Sequence, residues 1–387
     1  MRFGRLPCFL LCTLFAAPLF AAEPEVMTLE QVLASVDRVN LSVLLSRENA
    51  AQSREVVNQQ RAGVLPLVDL SVQQRRSQGV SIATVVVASG RPASRFDALA
   101  TASYALLNFQ RLSALRSARA NAAVADANYA AVVQSVLADV AESYFAHLRN
   151  LRRLDVLDAN ISRARALHAL AGNQLTAGVA TQIDVTRAEA QVAQAEQARL
   201  QQVTIVFQSE LFLKRLLDLE VARPLKLADF PLRRADAAML AFADQKTAFE
   251  TRADFLAAQK ALEASKIDVR TARYERLPSL NLTGNFGYAS ANYDDPDKQD
   301  QWGIGLNLSM PIFDGLRSGA NRRIAMSRQR SQELRVHSLE LQISAELRLA
   351  QQDANSRNAQ IAVAEKSLKL AQEELRLAQQ RYQQGVA

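Results

Sequence analysis

Residues 277–282 read LPSLNL and repeat an earlier stretch, LPLVDL, at residues 65–70, an offset of 212 positions. A second repeat joins residues 170–180 to residues 377–387 at an offset of 207, with five of eleven residues identical. Between these matches, Asn-Phe-Gln at residues 108–110 of the first copy corresponds to Ile-Phe-Asp at residues 312–314 of the second, an offset of 204. Each copy reads helix, Leu-Pro, two strands, a turn with phenylalanine, a very long helix and a glycine turn. Repetition at a nearly fixed distance predicts a duplicated architecture.

Each Leu-Pro stretch begins a segment in which apolar and polar residues alternate with period 2. Residues 280–288 and 302–310 alternate clearly, residues 68–73 do so more weakly, and residues 95–107 are expected to contain the fourth strand. Such alternation predicts strands with one apolar and one polar face. Residues 290–301 are polar and acidic, so we expect a long hairpin loop there.

The segment between the two strand pairs is almost free of residues that interrupt helices. No proline occurs between Pro92 and Pro224, and the stretch is rich in Ala, Leu, Gln, Arg and Glu, which favour helix. We expect a helix over 111–177, a turn at Gly178 and a return helix over 183–222. At 1.5 Å per residue the first of these helices spans about 100 Å.

The predicted organisation of the chain follows from these segments, with a further helix expected over 235–276. The expected parts are a signal peptide over 1–22, N-terminal helices over 23–63, a first strand pair over 64–108, a first long helical hairpin over 109–222, a connector and helix over 223–276, a second strand pair over 277–313, and a second long helix over 314–387.

The first 22 residues have the organisation of a secretory signal peptide. A basic start, MRFGR, is followed by an apolar run over 6–22 that ends in small residues. We expect cleavage after Ala22, and Pro18 argues against the alternative of a retained signal anchor. Both cysteines, Cys8 and Cys12, lie inside this segment, so we expect no disulfide, thiolate metal site or acyl anchor in the mature chain.

The charge and hydropathy of the remaining chain exclude two classes of protein. The formal net charge is +7 and falls by two when Arg2 and Arg5 are removed with the signal peptide. The basic residues are interspersed with acidic ones, so no basic block typical of nucleic-acid binding is present. No later stretch reaches the roughly 18 uncharged apolar residues of a membrane helix. An exported chain of this kind is either soluble or a β-barrel, because only helices and closed barrels satisfy their backbone groups in lipid.

Residues with catalytic or metal-binding chemistry are not arranged as a site. The three histidines His147, His168 and His337 fall within predicted helices without metal-ligand spacing, and we expect them to pack at surfaces or interfaces. No nucleophile elbow or phosphate-binding loop occurs, so we expect no catalytic residue, no cofactor and no metal site. Four acids in the hairpin loop could bind calcium through hard oxygen ligands, but a solvated loop is the favoured interpretation. These acids are Asp294, Asp295, Asp297 and Asp300.

The duplicated arrangement resembles the TolC-like outer-membrane factor family over essentially the whole mature chain. The resemblance is carried by the twin Leu-Pro strand starts, by MPIFDG at 310–315 and by GVATQIDV at 178–185. It implies a mainly α protein with a membrane β-barrel part: duplicated long-helix hairpins plus four β-strands per protomer, assembled into a trimeric 12-stranded barrel and an α-helical tunnel. Physical reasoning agrees, because four strands cannot close a barrel, the smallest barrels need about eight, and a trimer would remove the sheet edges.

The resemblance also implies a function. It indicates a passive exit duct in the outer membrane that extends into the periplasm and serves a tripartite efflux pump or a type I secretion system, without enzymatic activity. The implied partners are two further copies in a homotrimer, a periplasmic adaptor (membrane fusion protein), an inner-membrane pump and outer-membrane lipid. The alternative is a periplasmic coiled-coil scaffold or adaptor without a membrane barrel, against which the duplicated strand pairs argue.

Two candidate sites follow from the resemblance and from the strand pattern. The helix-tip gate and adaptor contact comprises Gly178, Val179, Thr181, Asp184 and Gly385. The lipid-facing barrel surface comprises Trp302, Ile304, Leu306 and Leu308. Three of these residues retain alternative interpretations. Asp184 also suits the N-terminus of a helix, Gly178 suits a left-handed helix end, and Trp302 is either part of an interfacial aromatic girdle or a buried packing residue.

The second copy departs from the family pattern at its end. After Gly178 the first copy continues with a return helix, whereas the second copy reaches Gly385 and ends two residues later. We expect that the last return helix of the family is missing, and with it the gate acids that the family places just after this glycine. Asp184 is their first-copy equivalent.

Overall fold

A computed structural model describes residues 26–77, 93–230 and 245–383. The predicted signal peptide and Gly385 lie outside the described residues. The chain divides into two compact units. One comprises the described parts of Met1–Ser35 and Asp139–Phe230, and the other comprises the described parts of Val36–Ala138 and Pro231–Ala387.

Helices and strands follow in the order that the repeat predicts. In chain order the elements are β1 Val26–Met27, α1 Leu29–Val39, α2 Leu41–Ala62, β2 Leu67–Ser77, β3 Ala93–Asn108, α3 Phe109–Thr176, α4 Gln182–Leu216, β4 Lys226–Leu227, α5 Gln245–Thr251, α6 Ala253–Tyr274, β5 Ser279–Ser290, β6 Gln299–Ser309 and α7 Arg317–Gln383. No helix within these described ranges is both long and apolar enough to cross a membrane.

Two helices differ from their predicted bounds for local reasons. The helix expected to reach residue 222 ends at Leu216, because Asp218 adopts a left-handed conformation with φ 51° and the side chain of Lys214 donates to the carbonyl of Val221 at 2.9 Å. The helix expected over 235–276 is broken within its described part. Arg252 has extended backbone there, at φ −76° and ψ 116°, and separates α5 from α6.

The four longer strands form one antiparallel sheet in the order β2-β3-β5-β6. The central pairing joins the two sequence repeats, since β3 belongs to the first copy and β5 to the second. β6 begins at Gln299, three residues before its apolar pattern, because the polar residues there also pair with β5. The hairpin loop is therefore shorter than the predicted 290–301.

The unit that contains Asp139–Phe230 has a small core at the entry to its helical hairpin. Val32, Tyr144 and Leu213 are fully buried there. The Tyr144 hydroxyl donates to the carbonyl of Ala228 at 2.7 Å, just after β4, which pairs with β1 in parallel. This bond joins the long helix α3 to a two-stranded ladder.

The unit that contains the sheet packs helices through small and polar side chains. Ala118 and Ala122 of α3 are buried, as expected for helices that approach closely. Ser113 shares a hydrogen bond of 2.6 Å with Thr271 of α6. At the break between α5 and α6, Arg252 donates to Glu346 of α7 at 2.6 Å.

Candidate functional site

One face of the sheet is apolar and open. Trp302, Ile304, Leu306 and Leu308 are 72%, 78%, 65% and 67% exposed, so Trp302 is not a buried packing residue of this chain. Residues directly opposite one another in paired strands share a face of the sheet. The register therefore places Leu306 beside Leu282 on this face.

The apolar face continues across all four strands. Val68, Leu70 and Val72 of β2 are exposed and pair with Ala102, Ala100 and Ala98 of β3. We call this surface the apolar face. Its members are Val68, Leu70, Val72, Ala98, Ala100, Ala102, Leu280, Leu282, Phe286, Tyr288, Trp302, Ile304, Leu306 and Leu308. The β2 members were not among the predicted lipid-facing residues, although the same alternation marks them in the sequence.

The opposite face of the sheet is mainly polar. Asp69, Thr101, Asn285 and Gly303 follow one another across the four strands, and Asn307 lies beside Asn281. A sheet with these two faces can separate water from an apolar medium. An antiparallel sheet with this contrast otherwise needs a protein layer over its apolar face.

The sheet has two open edges within the described residues. β2 pairs only with β3, and β6 pairs only with β5. Unpaired backbone groups along such edges are ready to pair with a strand from another chain. The arrangement is therefore suited to extension at both sides.

The helix tip is closed by a glycine in a left-handed conformation. Gly178 has a φ of +74°. Its N–H donates to the carbonyl of Leu175 at 2.9 Å, and the N–H of Val179 donates to the carbonyl of Gln174 at 3.0 Å. These two bonds form a Schellman motif, which satisfies the last carbonyls of α3.

The return helix begins with a cap in which Thr181 donates to Asp184. The backbone N–H and the hydroxyl of Thr181 both donate to the Asp184 carboxylate, at 2.9 Å and 2.7 Å. These two bonds hold the pKa of Asp184 below its usual value. Negative charge is also favourable in the first turn of a helix. The Asp184 carboxylate therefore has a capping role.

Four of the five predicted tip residues lie within residues 178–184, from the turn to the start of α4, and the fifth is outside the described residues. Val179 is 76% exposed and leaves an apolar side chain at the tip. Ile183, in the first turn of α4, is also exposed and was not among the predicted tip residues. Its only signal in the sequence is an apolar residue in the first turn of a helix.

The buried histidine has a packing role. His147 of α3 is buried, and its Nδ1 lies 2.8 Å from the Ser209 hydroxyl of α4. Burial lowers the pKa of His147, which favours the neutral ring. His337 is exposed near Glu340. Where the structure describes the chain, no three acidic, histidine or cysteine side chains group as a metal site.

The chain matches a protein family and individual relatives in its sequence. The family model described as outer membrane efflux protein matches residues 36–217 and 246–387. Outer membrane protein OprJ of Pseudomonas aeruginosa is 28% identical over 379 residues, which cover 95% of this chain and 77% of that protein. The solvent efflux pump outer membrane protein SrpC of Pseudomonas putida is 23% identical over 357 residues, covering 90% of this chain and 74% of the relative.

A solved structure supports the same fold. The CmeC outer membrane channel of Campylobacter jejuni matches with a TM-score of 0.82 at 19% identity, and the match covers 93% of this chain and 77% of CmeC. The family model matches well over half of the sequence and spans both repeats. The chain therefore belongs to the outer membrane efflux protein family, with the role of an outer-membrane channel that extends into the periplasm.

Proposed function

We propose that three copies of this chain form a homotrimer with a 12-stranded barrel and an α-helical tunnel. Each copy has a sheet of four strands with two open edges among its described residues. Pairing of β6 in one copy with β2 of the next extends the sheet around a three-fold axis until no edge remains. In this proposal 64–108 and 277–313 contribute barrel strands, and 109–222 and 314–387 contribute tunnel helices.

The observation that carries the proposal is the apolar face, which runs across all four strands of the sheet. Outer-membrane barrels present an apolar band about 25 Å tall to lipid and a polar interior to the channel. The apolar face would contact lipid, and the polar face that carries Asn307 would line the lumen.

The channel is a passive exit that performs no chemistry. Substrates would be delivered by an inner-membrane pump and a periplasmic adaptor, in a tripartite efflux pump or a type I secretion system. SrpC, a relative over 90% of this chain, is named as the outer membrane protein of a solvent efflux pump. The exposed tip at Gly178, Val179 and Thr181 would seat the adaptor, and the Asp184 carboxylate would contribute charge at the periplasmic mouth.

The apolar face and the polar face can be tested by one pair of substitutions on β6. Leu306→Arg places a charge toward lipid in every protomer and costs about 2–4 kcal/mol near the bilayer midplane. Asn307→Arg adds the same side chain to the adjacent position, toward the lumen. We expect Leu306→Arg to reduce the yield of detergent-extracted trimer and of conducting channels in planar bilayers, while Asn307→Arg assembles.

Two results would contradict the proposal. Equal tolerance of the two substitutions would mean that the sheet does not face lipid with its apolar side. A wild-type chain that is soluble without detergent and does not conduct would favour a periplasmic scaffold instead.

A further inference from the structure

The helices that follow the strands begin with positive charge and no negative charge. In α3, Arg111, Arg116 and Arg119 precede the first acid, Asp126, and α7 contains five arginines before its first acid, Glu333. The partial positive charge of a helix N-terminus disfavours cations within the first turn, where Arg111 and Arg317 lie. Arg116, Arg119 and Arg322 lie beyond that turn, so their surroundings decide what they can bind.

A groove between α3 and α6 collects part of this charge. It has a volume of about 410 Å³ and is lined by Arg116 and Arg119 of α3 and by Arg270 and Tyr274 of α6. The groove lies within one chain and needs no second copy to form.

A smaller groove lies on the next side of α6. Its volume is about 150 Å³, and its lining includes Arg273 and Arg276 of α6 and Arg322 of α7. Arg276 donates from Nε to the Ser318 hydroxyl at 2.6 Å. Arg270 and Arg273 are one helical turn apart, so the two grooves adjoin. We call Arg116, Arg119, Arg270, Arg273, Arg276 and Arg322 the basic collar.

Among the described residues, none of the guanidinium groups of the basic collar forms an ion pair, although Arg276 is close enough to Asp314 to help the hydrogen bonds from Ser318 lower the pKa of that carboxyl. The two acids on the same stretch of α6 have other partners. Asp268 accepts from Ser117 at 2.5 Å, and Glu275 accepts from Asn321 at 3.1 Å.

The basic collar lies close to the end of the sheet. Arg116 is seven residues into α3, which begins immediately after β3, and this separation corresponds to about 10 Å along the helix. The headgroup layer on each side of a bilayer is about 5–8 Å thick, and long arginine side chains can reach toward it. If the sheet spans the membrane, the basic collar is at or just beyond the depth of the headgroups.

The larger groove has an aromatic contact near the end of β3. After a register shift in β3, Leu107 pairs with Leu280 of the apolar face. Phe109, two residues later, is the first residue of α3, and its ring lies 6.2 Å from that of Tyr274, which lines the groove. The groove thus combines arginines with an aromatic ring close to the end of β3.

We propose that the basic collar binds the phosphate of an anionic phospholipid headgroup in the periplasmic leaflet, with the acyl chains lying along the apolar face. Arginine presents several N–H donors in a planar fork that suits phosphate oxygens. The inference rests on the proposed function, because it requires the sheet to lie in the membrane.

The test measures lipid preference in the assembled protein. The full chain in neutral detergent is titrated with phosphatidylglycerol or phosphatidylcholine, and bound lipid is counted by native mass spectrometry. We expect wild type to retain phosphatidylglycerol preferentially, and Arg116→Gln/Arg119→Gln/Arg270→Gln to lose this preference by about fivefold for each arginine. Arg348→Gln/Arg357→Gln/Lys369→Gln removes the same charge farther along α7 and should retain the preference.

A conservative variant and a soluble competitor complete the test. The three lysine replacements at 116, 119 and 270 keep the charge but not the fork, and should retain part of the preference even if the glutamine variant fails to assemble. Inorganic phosphate should not displace the lipid, because it lacks the acyl chains. Displacement would indicate a site for free phosphate and overturn the lipid assignment.

The outcomes separate this inference from the proposed function. Wild type that conducts in bilayers but shows no preference for phosphatidylglycerol would overturn the inference alone. A collar variant that keeps the preference and loses trimer stability would assign the arginines to subunit contacts. Wild type that neither inserts nor conducts would overturn both proposals.

Discussion

Gly287 of β5 leaves no room for a side chain against β3, the neighbouring strand from the other repeat. A Cβ atom at this position of β5 would lie 2.0 Å from the carbonyl oxygen of Ala98 and 2.9 Å from Cα of Leu99. Ordinary contact begins at 3.4 Å, so Gly287→Ala is short of space by 3.4 − 2.0 = 1.4 Å. Both obstructing atoms belong to the backbone of β3, and no side-chain rotation can relieve the contact.

The cost of Gly287→Ala follows from the displacement of β3 from β5. A movement of this size would break about two ladder hydrogen bonds, each worth about 1 kcal/mol net. Residual overpacking adds about 1–3 kcal/mol. We therefore expect a loss of about 3–5 kcal/mol in the free energy of unfolding per chain. Gly284→Ala on the same strand is the matched control, because its Cβ would meet only the carbonyl oxygen of Gly303, at 3.8 Å.

Tryptophan fluorescence offers a direct assay of the sheet. Trp302 is the single tryptophan of the chain and lies on β6, next to β5. The protein is folded into lipid vesicles and titrated with guanidinium chloride, and the emission maximum reports when β6 leaves the sheet. Gly287→Ala should unfold at a lower midpoint than wild type and Gly284→Ala. A midpoint equal to wild type, or an equal shift in both variants, would refute the reasoning.

Three further predictions concern the helices. Gly178→Ala should cost about 1–2 kcal/mol of helical-hairpin stability in thermal melts, because alanine is strained at positive φ. Gly172→Ala, inside α3, is the control and should be neutral or stabilising. Equal effects of the two substitutions would contradict the role of the left-handed turn. Hydrogen bonds lower the pKa of Asp184 in the folded protein, so the stability that its carboxylate contributes is complete above the pKa of the unfolded chain, near 4, and is lost as the pH falls through the pKa of the folded protein. Asp184→Asn should therefore flatten acid unfolding curves below pH 4. An unchanged curve would contradict this. Burial likewise lowers the pKa of His147, so the stability of the fold with a neutral ring should be complete above about pH 6.5 and should decline as the pH falls. His147→Gln should remove this decline in circular dichroism melts. A decline that persists in the variant would belong to other groups.

The sequence could predict elements whose cause is local. The alternation at 302–310 anticipated the exposed apolar side of β6, and the glycine after a long run of helix formers anticipated the end of α3. The break at Arg252 could not be predicted, because it depends on a guanidinium that bonds both Asp254 beside it and Glu346 on a distant helix. The basic collar was missed for a similar reason. Its arginines come from three helices, and each appears in the sequence as an ordinary surface charge.

The sequence alone determined that this protein has two copies of a strand pair joined to a very long helix, and that each strand has one apolar side. Both properties follow from short-range patterns, since side chains alternate along a strand and proline is excluded from helix interiors. Only the tertiary structure decided that β3 pairs with β5, which sets Phe96 opposite Ser290 and merges the two strand pairs into one sheet. Periodicity specifies which side of a strand is apolar but does not specify its neighbour. That choice is made by backbone hydrogen bonds between residues far apart in the chain, and by close approaches such as the one at Gly287.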